Sequence, residues 1–128
     1  MTLFTWYPKY SVNNEELDEH HKKLFGIFNQ LDEQCINNYD NKSARGIIEE
    51  LINYSNYHFF AEEQHMKDLG YKDINKHISE HREFTLKAIH LQQAIMNNEV
   101  HTLKELKAFL GQWLLNHVIV EDKKYSVK

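Results

Sequence analysis

Proline occurs once in the 128 residues and glycine four times. So few chain-breakers exclude a fold of many strands and tight turns and point to long helices. Cysteine also occurs once, as Cys35, which excludes a disulfide framework and a thiolate metal site. That usage suits a reducing compartment, and a cytoplasmic location is expected. No run of apolar residues approaches the roughly 18 needed to cross a bilayer. The first ten residues, Met1 to Tyr10, lack a basic region followed by an apolar run, so no signal peptide and no membrane association are expected. Positive charge is also scarce: the formal net charge is −4, which leaves no basic footprint for nucleic acid. Apolar residues make up 41%, ordinary for one globular domain with one core, and a monomer is expected.

Histidine, by contrast, is abundant, with nine copies. Their positions follow the helical period. Residues 1–12 read as an extended N-terminal arm carrying Pro8. Asn13 or Asn14 then caps a helix to about Asn37, with Glu15 and Glu16 in its first turn. Its apolar stripe is Leu17, His21, Leu24, Phe28, Leu31 and Cys35. After a loop at 38–42, a second helix runs from about Ser43 to Gly70, a glycine suited to the C′ position. Its stripe is Ile48, Leu51, Ser55, His58, Glu62 and Leu69. A third helix begins after Asp73 and carries Ile74, His77, His81, Phe84, Ala88, Leu91 and Ile95, ending at Asn97-Asn98. A fourth carries Leu103, Leu106, Leu110, Trp113, His117 and Val120, followed by a polar tail from Lys123 that is expected to fray. Four amphipathic helices joined by short connections predict an all-α, up-down-up-down antiparallel four-helix bundle over about residues 13–122, in a single domain spanning 1–128.

The stripes contain groups that do not belong in an apolar core. His58 and Glu62 are four apart on one helix face, as are His77 and His81. His21 and His117 occupy the same kind of position on the remaining helices. Antiparallel packing brings all of them toward one end of the bundle. Buried without partners, such groups cost several kcal/mol each, on the order of 2–7. A lone histidine on an apolar face is more often a hydrogen-bonded core residue than a ligand. Five, on the stripes of all four helices and with carboxylates at ligand spacing, point to a metal site. Nitrogen and oxygen donors without sulfur suit iron, manganese or zinc. The donor set exceeds one tetrahedral zinc site, so two metals bridged by carboxylates use it better. On the last helix, plain periodicity favours Glu121, four after His117, over Asp122, five after, which would need a π-turn to come in. His20, next to His21, lies off the stripe and is expected on solvent or a helix flank. His65 is either a hydrogen-bond partner behind a ligand or, as we favour, a half-exposed flank residue. His90 and His101 read as surface residues.

The segments Asp18-Glu19-His20-His21-Lys22-Lys23-Leu24, His58-Phe59 with Glu62-Glu63, His77-x-x-x-His81, and Trp113-Leu114-x-x-His117 with Asp122 and Tyr125 resemble the hemerythrin family, especially single-domain bacteriohemerythrins. The resemblance runs over nearly the whole chain. It implies reversible O2 binding at a non-haem di-iron centre, for storage, delivery or scavenging, with no enzymatic role. It implies that His77, His81 and His117 hold one iron, that His21 and His58 hold the other, and that Glu62 and Asp122 bridge them beside an oxo or hydroxo group. The family spacing His-x-x-x-x-Asp thus favours Asp122 over Glu121. The second iron would keep the open position for O2, beneath a pocket of Phe59, Trp113 and Leu114. Two other readings are an O2 or redox sensor acting through a separate partner, and a di-iron oxidase or peroxidase. The latter type of site uses paired Glu-x-x-His motifs, and only Glu62-x-x-His65 is present.

Overall fold

The computed structural model describes the backbone of residues 5–36, 41–97 and 102–126, and the side chains of 5–33, 45–97 and 104–125. Helix α1 is Glu15–Ile36, α2 is Asn41–Leu69, α3 is Ile74–Met96 and α4 is Thr102–Trp113. Each packs mainly on its neighbours in a ring, α1 on α2, α2 on α3, α3 on α4 and α4 back on α1. This is the up-down-up-down bundle. The loop expected at 38–42 falls mostly on residues 37–40, outside the described residues, and α2 begins at Asn41 rather than Ser43. The side chains of Cys35, His101 and Leu103 lie outside them too.

Local chemistry sets the helix ends. The Asn14 side-chain Oδ1 accepts a hydrogen bond from the Leu17 N–H at 3.0 Å and so caps α1. Asn13, before it, takes φ +60°, a conformation asparagine tolerates better than most residues. The arm is not wholly extended: Pro8–Tyr10 forms one 3-10 turn. It is fastened to α1 through Asp18, which accepts from Ser11 Oγ at 2.6 Å and from the Val12 N–H at 2.8 Å. At the end of α2, Gly70 adopts φ +68°; its N–H donates to the Lys67 carbonyl and that of Tyr71 to the Met66 carbonyl. Tyr71 packs back against the cluster containing Met66, completing a Schellman stop.

The stripes form a main core around Leu24, Phe28, Leu31, Ile48, Leu51, Phe84, Leu91, Leu106 and Leu110. A second, smaller cluster of Val12, Leu17, Met66 and Tyr125 closes the other side of the histidine layer. Three expectations are corrected here. Leu69 is exposed; the stripe of α2 continues through the fully buried Met66, four after Glu62, and Leu69 is already the last helical residue. Val120 is also exposed, because the helix widens before it and moves Leu114, Val118 and Asp122 to the inner face. The tail does not fray at once: Asp122–Ser126 forms a helix, α5, with Tyr125 buried. Lys123 Nζ donates to the Ser11 carbonyl at 2.7 Å, tying α5 to the arm.

Candidate metal centre

The histidine layer collects His21 from the second turn of α1, His58 and Glu62 from the second half of α2, and His77 and His81 from the start of α3. His117 and Asp122 come from the widened end of the fourth helix. All seven are buried. The widening is a π-helical stretch, Leu114–Glu121, in which the Asp122 N–H donates to the His117 carbonyl five residues back. One extra residue per turn brings position i+5 over position i, so Asp122 joins His117 on the inner face. Glu121 points away to an ion pair with Lys124 at 3.0 Å.

Two groups of potential ligand atoms result, each drawn together within 4.8 Å: Glu62, His77, His81, His117 and Asp122, and then His21, His58, Glu62 and Asp122. The carboxylates belong to both. Glu62 Oε1 is 2.8 Å from His81 Nε2 and 3.3 Å from His77 Nε2, while its Oε2 is 3.4 Å from His21 Nε2 and 3.5 Å from His58 Nε2. Asp122 Oδ1 is 2.7 Å from His77 Nε2 and 3.0 Å from His117 Nε2, and its Oδ2 is 3.1 Å from His21 Nε2. Each carboxylate therefore offers one oxygen to each group.

Despite this proximity, Nε2 of His21, His81 and His117, Oε1 of Glu62 and Oδ2 of Asp122 are buried without hydrogen-bond geometry to any partner. Groups like these are costly unless something satisfies them. Cations at the two foci would satisfy all of them, so the donor set fits a pair of metal ions. Five imidazoles and two carboxylates are nitrogen and oxygen donors of the type non-haem iron takes.

Most ring nitrogens facing outward are held as well. His81 Nδ1 is hydrogen-bonded to Glu63 Oε2 at 2.8 Å, and His117 Nδ1 faces Glu80 Oε2 at 3.2 Å without hydrogen-bond geometry. His58 Nδ1 is 3.0 Å from Nδ1 of His20. The Tyr125 hydroxyl donates to Glu62 Oε2 at 2.8 Å. Such outer contacts fix ring orientation. Of the two expectations for His20, the helix flank holds and solvent does not: only 5% exposed, it is wedged between α1 and α2. A position next to the stripe is offset by about 100°, and on α1 that flank is covered by α2. The parts played by Glu63, Glu80 and Tyr125 were also not apparent from periodicity, since each crosses between helices. His65 is half-buried on the flank, with Nδ1 3.3 Å from Asn14 Nδ2 and its ring edge against Tyr125 at 5.6 Å. His90 is exposed, as expected.

Aromatic rings brace the layer. Phe59 stacks on His81 at 3.9 Å and 7°, and Trp113 stacks on His117 at 3.9 Å and 11°. Phe59 and Trp113 meet edge-on at 5.8 Å. Leu114 is fully buried in the main core with Phe59 and Val118.

Without metal, the layer is a network of mutually charging groups. Burial opposes charge on His21, but the nearby carboxylates of Asp122 and Glu62 outweigh it and push the imidazole up to about 9. The same balance pushes His77 up to about 10, and raises His81 through Glu62 and Glu63. At His58 burial wins and lowers the value. Burial also resists charge on Glu62, yet the imidazoles of His58 and His21 hold it well below the usual carboxylate range. Burial and Glu62 both work against Asp122, but His117 and His21 depress it strongly.

A family model described as the hemerythrin HHE cation binding domain matches residues 12–127. A hemerythrin-like protein of Naegleria gruberi is 33% identical over 123 residues, covering 96% of this chain and 91% of its own length. A bacteriohemerythrin of Methylococcus capsulatus is 31% identical over 128 residues, covering 98% and 96%. The crystal structure of a wild-type hemerythrin matches with a TM-score of 0.87 at 28% identity, over 98% of this chain and 96% of that one. With two overlapping histidine and carboxylate groups at the heart of a four-helix bundle, the chain belongs to the hemerythrin family, and it binds O2 at a non-haem di-iron centre.

Proposed function

We propose that His77, His81 and His117 hold one iron, that His21 and His58 hold the other, and that Glu62 and Asp122 span the two. The observation carrying this assignment is that each carboxylate directs one oxygen to each group of imidazoles. The three-histidine group then has five protein donors and the two-histidine group four, so the second iron is the one with room for O2. A ferrous pair supplies the electrons on which reversible O2 binding depends. The chain's part is to hold the ligands, to keep the imidazole tautomers fixed through Glu63, Glu80 and His20, and to exclude water. Phe59 and Trp113 stiffen His81 and His117, and Leu114 closes the apolar side. Little inside that wall can solvate a departing anion, which favours release of neutral O2.

The proposed role is O2 storage, delivery or scavenging by a monomer acting as one domain in the cytoplasm, and not catalysis. Against an oxidase-type site, Glu62-x-x-His65 does not supply a second ligand: His65 is engaged with Asn14 and Tyr125 on the flank. A decisive experiment loads the protein anaerobically with ferrous iron, measures metal by elemental analysis, and cycles the sample between argon and air while recording visible spectra. Two iron atoms per chain and charge-transfer bands that appear in air and vanish under argon are expected. A single tightly held zinc with no iron uptake would refute the assignment. Irreversible bleaching with turnover of an added reductant would favour the oxidase reading.

A further inference from the structure

We propose that His20 is a positioning residue for the iron held by His21 and His58: it accepts a hydrogen bond from the His58 Nδ1–H and so fixes the tautomer whose Nε2 is free to bind metal. This rests on the ligand assignment proposed above.

The two rings meet edge to face, with centroids 5.1 Å apart at 85°, and their Nδ1 atoms are 3.0 Å apart. Two imidazoles facing each other through the same nitrogen can share only one proton along that line. If His20 donated, the His58 proton would have to sit on Nε2, the atom that faces Glu62 and the ligand group. Metal binding at His58 Nε2 therefore requires His58 to donate and His20 to accept. His20 then carries its own proton on Nε2, which lies on the side of Glu16, 3.9 Å from its Oε1. Tyr54 and Tyr57 close over the His20 ring with centroids at 5.6 and 5.1 Å, holding it in place.

His58 thus differs from the ligands of the other iron. The outer nitrogen of His81 is hydrogen-bonded to the Glu63 carboxylate and that of His117 faces the Glu80 carboxylate at 3.2 Å, whereas that of His58 meets an imidazole. A carboxylate draws the N–H proton strongly and makes the ring a better donor to an oxidised metal. An imidazole acceptor orients the ring while adding less electron density. His20 therefore serves two ends at the iron with room for O2: it orders the ligand, and it leaves the ferrous state less readily lost than a carboxylate would.

Three variants test this: His20→Ala, His20→Gln and His20→Glu. Ferrous affinity is measured anaerobically by competition with a chelator, the reduction potential by redox titration, and folding by the thermal melt of the metal-free protein. His20→Ala is expected to bind one of its two irons about 10–100-fold more weakly, the range for loss of such a contact. In His20→Gln an amide oxygen can accept the same hydrogen bond, so affinity should return to within a few-fold of wild type. His20→Glu should keep both irons and shift the reduction potential negative. Equal affinity in wild type and His20→Ala, no rescue by His20→Gln, or an unmoved potential in His20→Glu would each overturn the role. A His20→Ala protein that fails to fold leaves the Gln and Glu variants to decide. Fewer than two irons in wild type would instead overturn the ligand assignment, and this role with it.

Discussion

At the scale of single residues, the histidine layer is built from side chains aligned along each helix and braced by side chains that reach across from a neighbouring one. His21, His58, Glu62, His77, His81 and His117 stood out because a 3.6-residue period puts each on an apolar stripe, and all six are buried at one level of the bundle. The support behind them was illegible. Glu80 reaches His117 from another helix and His20 reaches His58 across the α1–α2 seam, and nothing in a one-dimensional period encodes such approaches. Leu114 illustrates a residue whose burial is shown and whose role can be separated from packing by experiment. Leu114→Ala should cost about 2–5 kcal/mol, as for other fully buried leucines. In its proposed place on the wall of the O2 site, its truncation should also speed autoxidation of the oxygenated protein at unchanged iron content. Leu110→Ala, at an equally buried position one turn further from the ligands, should lose similar stability without that acceleration. Stopped-flow and long-term spectra at matched iron occupancy check both, and equal autoxidation rates for wild type and Leu114→Ala would remove Leu114 from the O2 site.

At the scale of the element, the end of the fourth helix carries most of the surprise. Uniform periodicity placed Val120 inside and favoured Glu121 as the last ligand, and both follow from assuming an unbroken α-helix. Resemblance to the family alone favoured Asp122. The π-helical stretch Leu114–Glu121 reconciles the two, because its hydrogen bond from Asp122 to His117 spans five residues. It also explains why Val118 is inside and Val120 outside. Two substitutions separate the carboxylates: Asp122→Ala should lose much of the iron, whereas Glu121→Ala, which removes only an exposed pairing with Lys124, should change stability by no more than about 1 kcal/mol. A deletion probes the geometry itself. Removing the exposed Val120 shortens the spacing to His117-x-x-x-Asp, which a regular α-helix can place on one face. That variant should keep two irons by elemental analysis, with α5 in register. Loss of iron on deletion would mean that the wide turn supplies an orientation an α-helix cannot.

At the scale of the whole molecule, the bundle and its metal layer have opposite demands on protons. Without metal, His21 and His77 have values pushed up to about 9 and about 10, above their ordinary 6.5. Groups raised on folding stabilise the native state fully below their unfolded value, and that contribution is lost as pH rises through the folded one. Metal-free protein should therefore lose stability between about pH 7 and 10, by up to roughly 1.4 kcal/mol per pH unit for each imidazole. Iron requires the same imidazoles neutral, so loading near pH 7 should expel protons and apparent affinity should rise with pH. Urea melts of metal-free and iron-loaded protein at pH 7, 8 and 9 are expected to slope in opposite directions. Parallel slopes would mean that these imidazoles do not exchange protons for metal.

The small cluster of Val12, Leu17, Met66 and Tyr125 lies on the opposite side of the metal layer from the main core, and the contact from Lys123 to Ser11 fastens the arm and α5 beside it. Metal held in the layer would thus have apolar packing on both sides, and we expect its release to require opening of that end of the bundle. Retention then becomes a matter of kinetics as much as of affinity. Iron loss to an excess of strong chelator should reach a rate independent of chelator concentration, set by the opening itself. Amide hydrogens near Met66 and Tyr125 should exchange through the same opening. Lys123→Ala, which removes one fastening and no ligand, should quicken both together.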